Sequence, residues 1–103
     1  MNNLQKTVNE FVTQYYLSTS AEMRYIDLVT EVGELGKELL KGSNYGTEPF
    51  RPGENTVSEL GDVFFSLICI ANTLEIDMEG ALRASIEKYR KRFSETGTIG
   101  SNI

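Results

Sequence analysis

Between residues 57 and 74 the chain is apolar on almost every side of a helix, and this one stretch limits the fold more than any other. Its centre reads Val63-Phe-Phe-Ser-Leu-Ile-Cys-Ile-Ala71. A helix that is apolar all round belongs at the centre of a fold or at an interface between subunits. It falls short of the ~20 uninterrupted apolar residues that span a bilayer. Its one polar stripe is Glu59, Asp62, Ser66 and Thr73. The side carrying Phe65 and Cys69 lies opposite the centre of the apolar face, so a single layer of helices would leave it uncovered.

The acids of that stripe have an earlier counterpart. Glu31-Val-Gly-Glu34 and Glu59-Leu-Gly-Asp62 each place two carboxylates three residues apart around a glycine. Three residues make almost one helical turn, so each pair shares a face. Asp27, Glu31, Glu34 and Glu38 fall within an arc of roughly 60°. Like charges at these spacings are mildly destabilising. An acid pair on so apolar a helix is expected to be partly buried, and buried carboxylates need cations, hydrogen bonds or protonation.

The remaining elements also read as helices. Leu4, Val8, Phe11, Val12 and Tyr15 predict a first helix over residues 3–16. Ser20 is a natural N-cap for a second over 21–41, with Gly42 as its C-cap. Gly33 and Gly36 each cost about 1 kcal/mol inside that helix, which predicts close packing against a neighbour or room for a ligand beside the carboxylates. Residues 42–55 hold both prolines and several glycines and form the one clear loop, from which Tyr45, Phe50 and Arg51 can reach outward. The apolar helix should begin near Thr56 or Val57. Asp77 should cap a fourth helix over 78–93, with Leu82, Ile86, Tyr89 and Phe93 as its seam. Residues 94–103 read as a flexible tail. No segment reads as a strand. The expected fold is all-α, a single domain over 1–103 of about four helices packed as a bundle.

Histidine is absent. That removes Ser-His-Asp and Cys-His catalysis, His-ligated zinc and the Glu-x-x-His di-iron site. The single cysteine, Cys69, makes no internal disulfide and reads as a small core residue, which with no signal-peptide pattern gives a cytoplasmic expectation. The net charge of −5 is uneven. Arg83, Lys88, Arg90, Lys91 and Arg92 against Glu87 give residues 83–93 a net +4 and leave −9 for the rest. An acidic body argues against binding nucleic-acid polymers. The basic segment suits a small polyphosphate, or simply the negative end of a helix dipole.

Four carboxylates on two helices, without histidine, make a hard all-oxygen donor set suited to Mg²⁺ or Mn²⁺. Such ions keep open positions for phosphate oxygens and water, and can promote hydrolysis of a phosphoanhydride. Lys88 and Arg92 would neutralise the remaining phosphates.

Glu31-x-x-Glu34, a spacer of two dozen residues, Glu59-x-x-Asp62, the Glu75-Ile-Asp77 junction and Lys88-x-x-x-Arg92 together resemble the MazG-like all-α nucleotide pyrophosphohydrolases. The resemblance covers residues from about 20 to 93. It implies cleavage of a nucleoside triphosphate between the α and β phosphates, giving the monophosphate and pyrophosphate. It implies Mg²⁺ held by Glu31, Glu34, Glu59 and Asp62, with one carboxylate positioning or deprotonating the attacking water. Lys88 and Arg92 match phosphate-contacting positions. Homodimers or dimers of dimers, with sites drawing on more than one subunit, are implied as well. Thr30 stands where the family often has an extra glutamate, and Ser58 where an extra acid often precedes the second motif. The expected function is that of a Mg²⁺-dependent house-cleaning enzyme of nucleotide pools, with no membrane partner. A phosphoribosyl-ATP pyrophosphohydrolase would present the same residues. The alternative of another class is a non-catalytic helical oligomerisation module with a structural acidic site.

Overall fold

A computed structural model of the protein describes residues 2–100. Four helices follow one another: α1 (Asn3–Gln14), α2 (Ala21–Gly42), α3 (Glu54–Thr73) and α4 (Met78–Thr96). The described residues contain no strand, so the all-α reading holds. No single described helix is long and apolar enough to cross a membrane.

Each start is set by a cap. The side chains of Asn2, Ser20 and Asp77 accept from the N–H groups of Gln5, Met23 and Gly80. These bonds satisfy donors that the first helical turn leaves free. The third helix starts two residues earlier than the sequence predicts. Gly53 takes the N-cap position, its N–H donating to Thr56 Oγ1 at 3.1 Å, and this leaves Glu54 at the positive end of the helix dipole.

The expectations for Gly42 and the tail need correction. Gly42 is the last residue of α2, and Ser43 is the C-cap. The glycine is required because the Phe50 ring lies against it, where a Cβ would overlap the ring. The Arg51 N–H donates to the Gly42 carbonyl at 3.0 Å and closes the loop back onto the helix. In the expected tail, Ser94–Thr96 continue α4, which stops at Gly97 in a left-handed conformation with φ 77°. Residues 101–103, the end of that expected tail, lie outside the described residues.

α3 is the central helix. The buried apolar residues Ile68, Cys69 and Ala71 all belong to it. α2 packs along α3, running antiparallel because Arg24 meets Phe65 while Glu31 meets Glu59 and Asp62. α1 covers the far end, where Phe11 meets Phe65 edge-on at 6.0 Å between centroids. Phe65 and Cys69 are therefore the covered side of α3, contrary to expectation. The bare side carries Val57, Leu60, Phe64 and Leu67. The apolar face is broader than one covering helix, and α1 and α2 occupy the half nearer Cys69.

α4 leaves the end of α3 at 102° and makes only marginal contact with the other helices. Its seam residues Leu82, Ile86 and Phe93 are exposed. The radius of gyration is 16.7 Å, against about 13 Å for a compact domain of this length.

Candidate metal centre

The antiparallel register of α2 and α3 decides which acids meet. Glu31, one face of α2, comes opposite Glu59 and Asp62, one turn apart on α3. One carboxylate oxygen from each lies within 4.8 Å of the other two. Glu31 and Glu59 are half-buried and Asp62 is exposed. No basic side chain among the described residues forms an ion pair with any of the three. Partial burial first, then the charges of Asp62, Glu31, Glu34 and Glu38, push the Glu59 carboxyl above the ordinary glutamate range. Three oxygen donors converge on one point and repel each other there. The residues thus fit a hard divalent cation, whose charge removes the repulsion.

Glu34 stands apart from this trio. It is exposed, and its carboxylate approaches Lys37 Nζ at 3.8 Å. It still acts on Glu59 through its charge. Asp27 also leaves the acidic stripe, because Arg24 pairs with it at 3.7 Å. Gly33, Gly36 and Gly61 have open space where a Cβ would point, so the close packing expected at Gly33 and Gly36 does not occur within the chain. The glycines stand off the acidic stripe, on other sides of their helices, with nothing packed against them.

Lys88 and Arg92 are not brought to the carboxylates within one chain. Both ride on α4, which does not pack on α2. Neither is among the charges acting on Glu59. The Lys88 ammonium sits over the Tyr89 ring, 5.1 Å from its centroid. Arg92 donates to the Ile99 carbonyl at 3.3 Å.

Sequence reasoning passed over Arg24. Its side chain is only 11% exposed. Its guanidinium donates to the Leu17 carbonyl and lies over the Phe65 ring, 5.7 Å from the centroid. It lines a cleft of about 250 Å³ with Asn9, Ser18, Thr19, Cys69 and Thr73, between α1 and the α2–α3 pair. Burial raises the Cys69 thiol pKa, and the Arg24 charge opposes that shift. Arg24 and Cys69 are each seven residues, two turns, from Glu31 and Asp62. They therefore stand on the same faces as the acids, about 10 Å along the groove. The signal in the sequence was that heptad spacing, with a cation at its far end.

A family model for the MazG nucleotide pyrophosphohydrolase domain matches residues 19–96. The uncharacterized protein YpjD of Bacillus subtilis (strain 168) is 34% identical over 104 residues, which span 95% of this chain and 90% of that protein. The crystal structure of YPJD from Bacillus subtilis, provisionally named a pyrophosphatase, is similar with a TM-score of 0.73 at 31% identity. That match covers 89% of this chain and 94% of the other.

Proposed function

This chain belongs to the MazG nucleotide pyrophosphohydrolase family, and we propose that it is a Mg²⁺-dependent enzyme that hydrolyses the α–β phosphoanhydride of nucleoside triphosphates. One observation carries the reading: Glu31, Glu59 and Asp62 converge from two helices with no cation of the described residues paired with them. Mn²⁺ suits the same oxygen donors.

Glu31, Glu59 and Asp62 would hold the ion, which when bound polarises phosphate oxygens and neutralises charge developing on them. Glu34, the acid left outside the trio and only loosely paired with Lys37, would orient the attacking water and accept its proton. The nucleoside end would extend along the groove into the cleft at Arg24 and Cys69, the length of a sugar and base away. Asn9, Ser18, Thr19 and Thr73 offer polar groups there. The anhydride then breaks to a monophosphate and pyrophosphate, one oxygen coming from water.

The cations for the outer phosphates come, in this reading, from a second copy of the chain. α4 carries Lys88 and Arg92 away from its own acids, and it leaves its apolar seam bare. The chain exposes 7849 Å², where a compact monomer of its mass exposes about 5,800 Å². The excess is more than twice the ~800 Å² per partner of a standard interface. A homodimer, or a dimer of dimers, covers it.

The test is pyrophosphate release from a panel of nucleoside triphosphates and phosphoribosyl-ATP, with Mg²⁺ and with chelator. Release should need the metal. Glu34→Gln and Asp62→Asn should abolish it while leaving the fold intact. Normal Mg²⁺-dependent release by Glu34→Gln would remove this acidic face from catalysis.

A further inference from the structure

Among the described residues, the most completely buried large side chain is polar and lies outside the acidic groove. Gln5, on α1, is fully buried. Its Nε2 donates to Asn72 Oδ1 at 3.0 Å and to the Ile76 carbonyl at 2.8 Å. Its Oε1 accepts from the Met78 N–H at 2.9 Å. Asn72 Nδ2 returns a bond to the Gln5 backbone carbonyl at 3.0 Å. The amide cannot be turned over, because Ile76 offers only an acceptor and Met78 only a donor. One side chain thus joins the last turn of α3, the connecting residues and the first residue of α4.

These bonds grip the corner from which α4 departs. The corner itself is short: Glu75 is left-handed with φ 56°, and the Ile76 N–H closes back on the Ala71 carbonyl at 2.9 Å. Beyond it, α4 has only marginal contact with the rest of the chain. Lys88 and Arg92 follow Met78 by ten and fourteen residues, so they ride about 15 and 21 Å out along the helix. A rotation of about 10° at the corner moves Arg92 by nearly 4 Å at that rise per residue. That exceeds the tolerance of a charge-assisted hydrogen bond.

We propose that Gln5 is a positioning residue for the cationic arm: its amide sets the α3–α4 angle and thereby where Lys88 and Arg92 stand. This rests on the reading of those two residues as phosphate ligands. Gln5 itself touches no substrate.

The test uses the full chain carrying Cys69→Ala, with spin labels at Glu22→Cys and Glu95→Cys, diluted with unlabelled protein. The α2–α4 distance distribution should be narrow with Gln5 present and several ångströms broader in Gln5→Met. In Gln5→Glu it should be broad at neutral pH and narrow again in acid, where the protonated carboxyl regains a donor for the Ile76 carbonyl. Binding of inorganic pyrophosphate with Mg²⁺ should weaken about tenfold or more in Gln5→Met, the loss of one charge-assisted bond. Mg²⁺ binding alone should stay within about twofold, since no acid moves. If Gln5→Met does not fold, Asn72→Ser removes the two bonds between Asn72 and Gln5, leaves those to Ile76 and Met78, and should broaden the distribution less. An unchanged distribution in the folded variants overturns the proposal. So does a broadened one with unchanged pyrophosphate affinity, provided Lys88→Met weakens that affinity. If Lys88→Met has no effect either, the reading of α4 as a phosphate arm is what fails, and the positioning role falls with it.

Discussion

Phe64 is the place to break the proposed assembly. It lies where two apolar hollows meet, one lined by Leu4, Leu67, Met78 and Leu82, the other by Val57, Leu60, Val63 and Leu67. Its side chain is on the bare face of α3 and the residue is 45% exposed. An aromatic side chain presents about 200 Å², so covering the exposed part removes roughly 90 Å² from water. At about 25 cal/mol per Å² this contributes about 2 kcal/mol per copy. A two-fold interface uses the residue twice. Losing it therefore weakens the dimer by about 4 kcal/mol, or nearly a thousandfold in Kd. Phe64→Glu adds the desolvation of two carboxylates, so that figure is a lower bound. Sedimentation velocity from about 0.1 to 100 μM, with helicity followed by circular dichroism, measures it in the range where such a shift is visible. The wild type should assemble at micromolar concentration, and Phe64→Glu should be a helical monomer or lose helicity as monomer forms. A monomeric wild type, or a variant that assembles as tightly as the wild type, refutes the argument that this face is an interface.

Three further outcomes follow from the same geometry. If the acids and the α4 cations of one site come from different subunits, mixing inactive Asp62→Asn with impaired Lys88→Met protein should restore activity, because a mixed dimer holds one site with neither lesion. Random exchange makes that about a quarter of the wild-type sites, measured as pyrophosphate release, whereas sites built within one chain recover nothing. For Glu59, a folded-state pKa above the unfolded value means that the folded chain binds the proton more tightly; its contribution to stability is present at low pH and is lost as pH rises through the raised value. In chelator, melting temperature against pH from about 4 to 7, the range above an ordinary glutamate, should fall more steeply for wild type than for Glu59→Gln, and millimolar Mg²⁺ should remove most of the difference. Gly42→Ala should destabilise the fold by about 1–3 kcal/mol, since the new methyl must displace the Phe50 ring, read from chemical denaturation at fixed Mg²⁺.

The local half of this structure was legible because it depends on neighbours in sequence. Ser20 and Asp77 are caps by type and place, and the helices they open are where periodicity puts them. The acid spacing named Glu31, Glu59 and Asp62, and the antiparallel helix pair unites them. What sequence pattern misjudged depends on which helix lies beside which. An all-round apolar helix does not say which of its sides is covered, so Phe65 and Cys69 were expected bare and Phe64 and Leu67 are bare instead. Gly33 and Gly36 look like packing glycines in one dimension, yet no helix lies against them. Gln5 is an unremarkable polar position in the sequence, since the three residues it bonds, Asn72, Ile76 and Met78, are some seventy residues away.

The two conspicuous deficits of the chain belong together. The acidic centre has three carboxylates and, among the described residues, no cation paired with them. The basic segment that would supply one stands on a helix that is gripped at its first turn and packs only marginally on the rest of the chain beyond it. If α4 folded back on its own carboxylates, the 102° corner would have to close, and the bonds from Gln5 to Ile76 and Met78 oppose that. The corner instead presents the seam of Leu82, Ile86 and Phe93 outward, on the same helix as Lys88 and Arg92. A partner that buries the seam must therefore come close to the cations, and in the proposed assembly the chemistry that needs them is the partner's own acidic groove. Burial of apolar surface and completion of the site are then one event, and activity should track assembly.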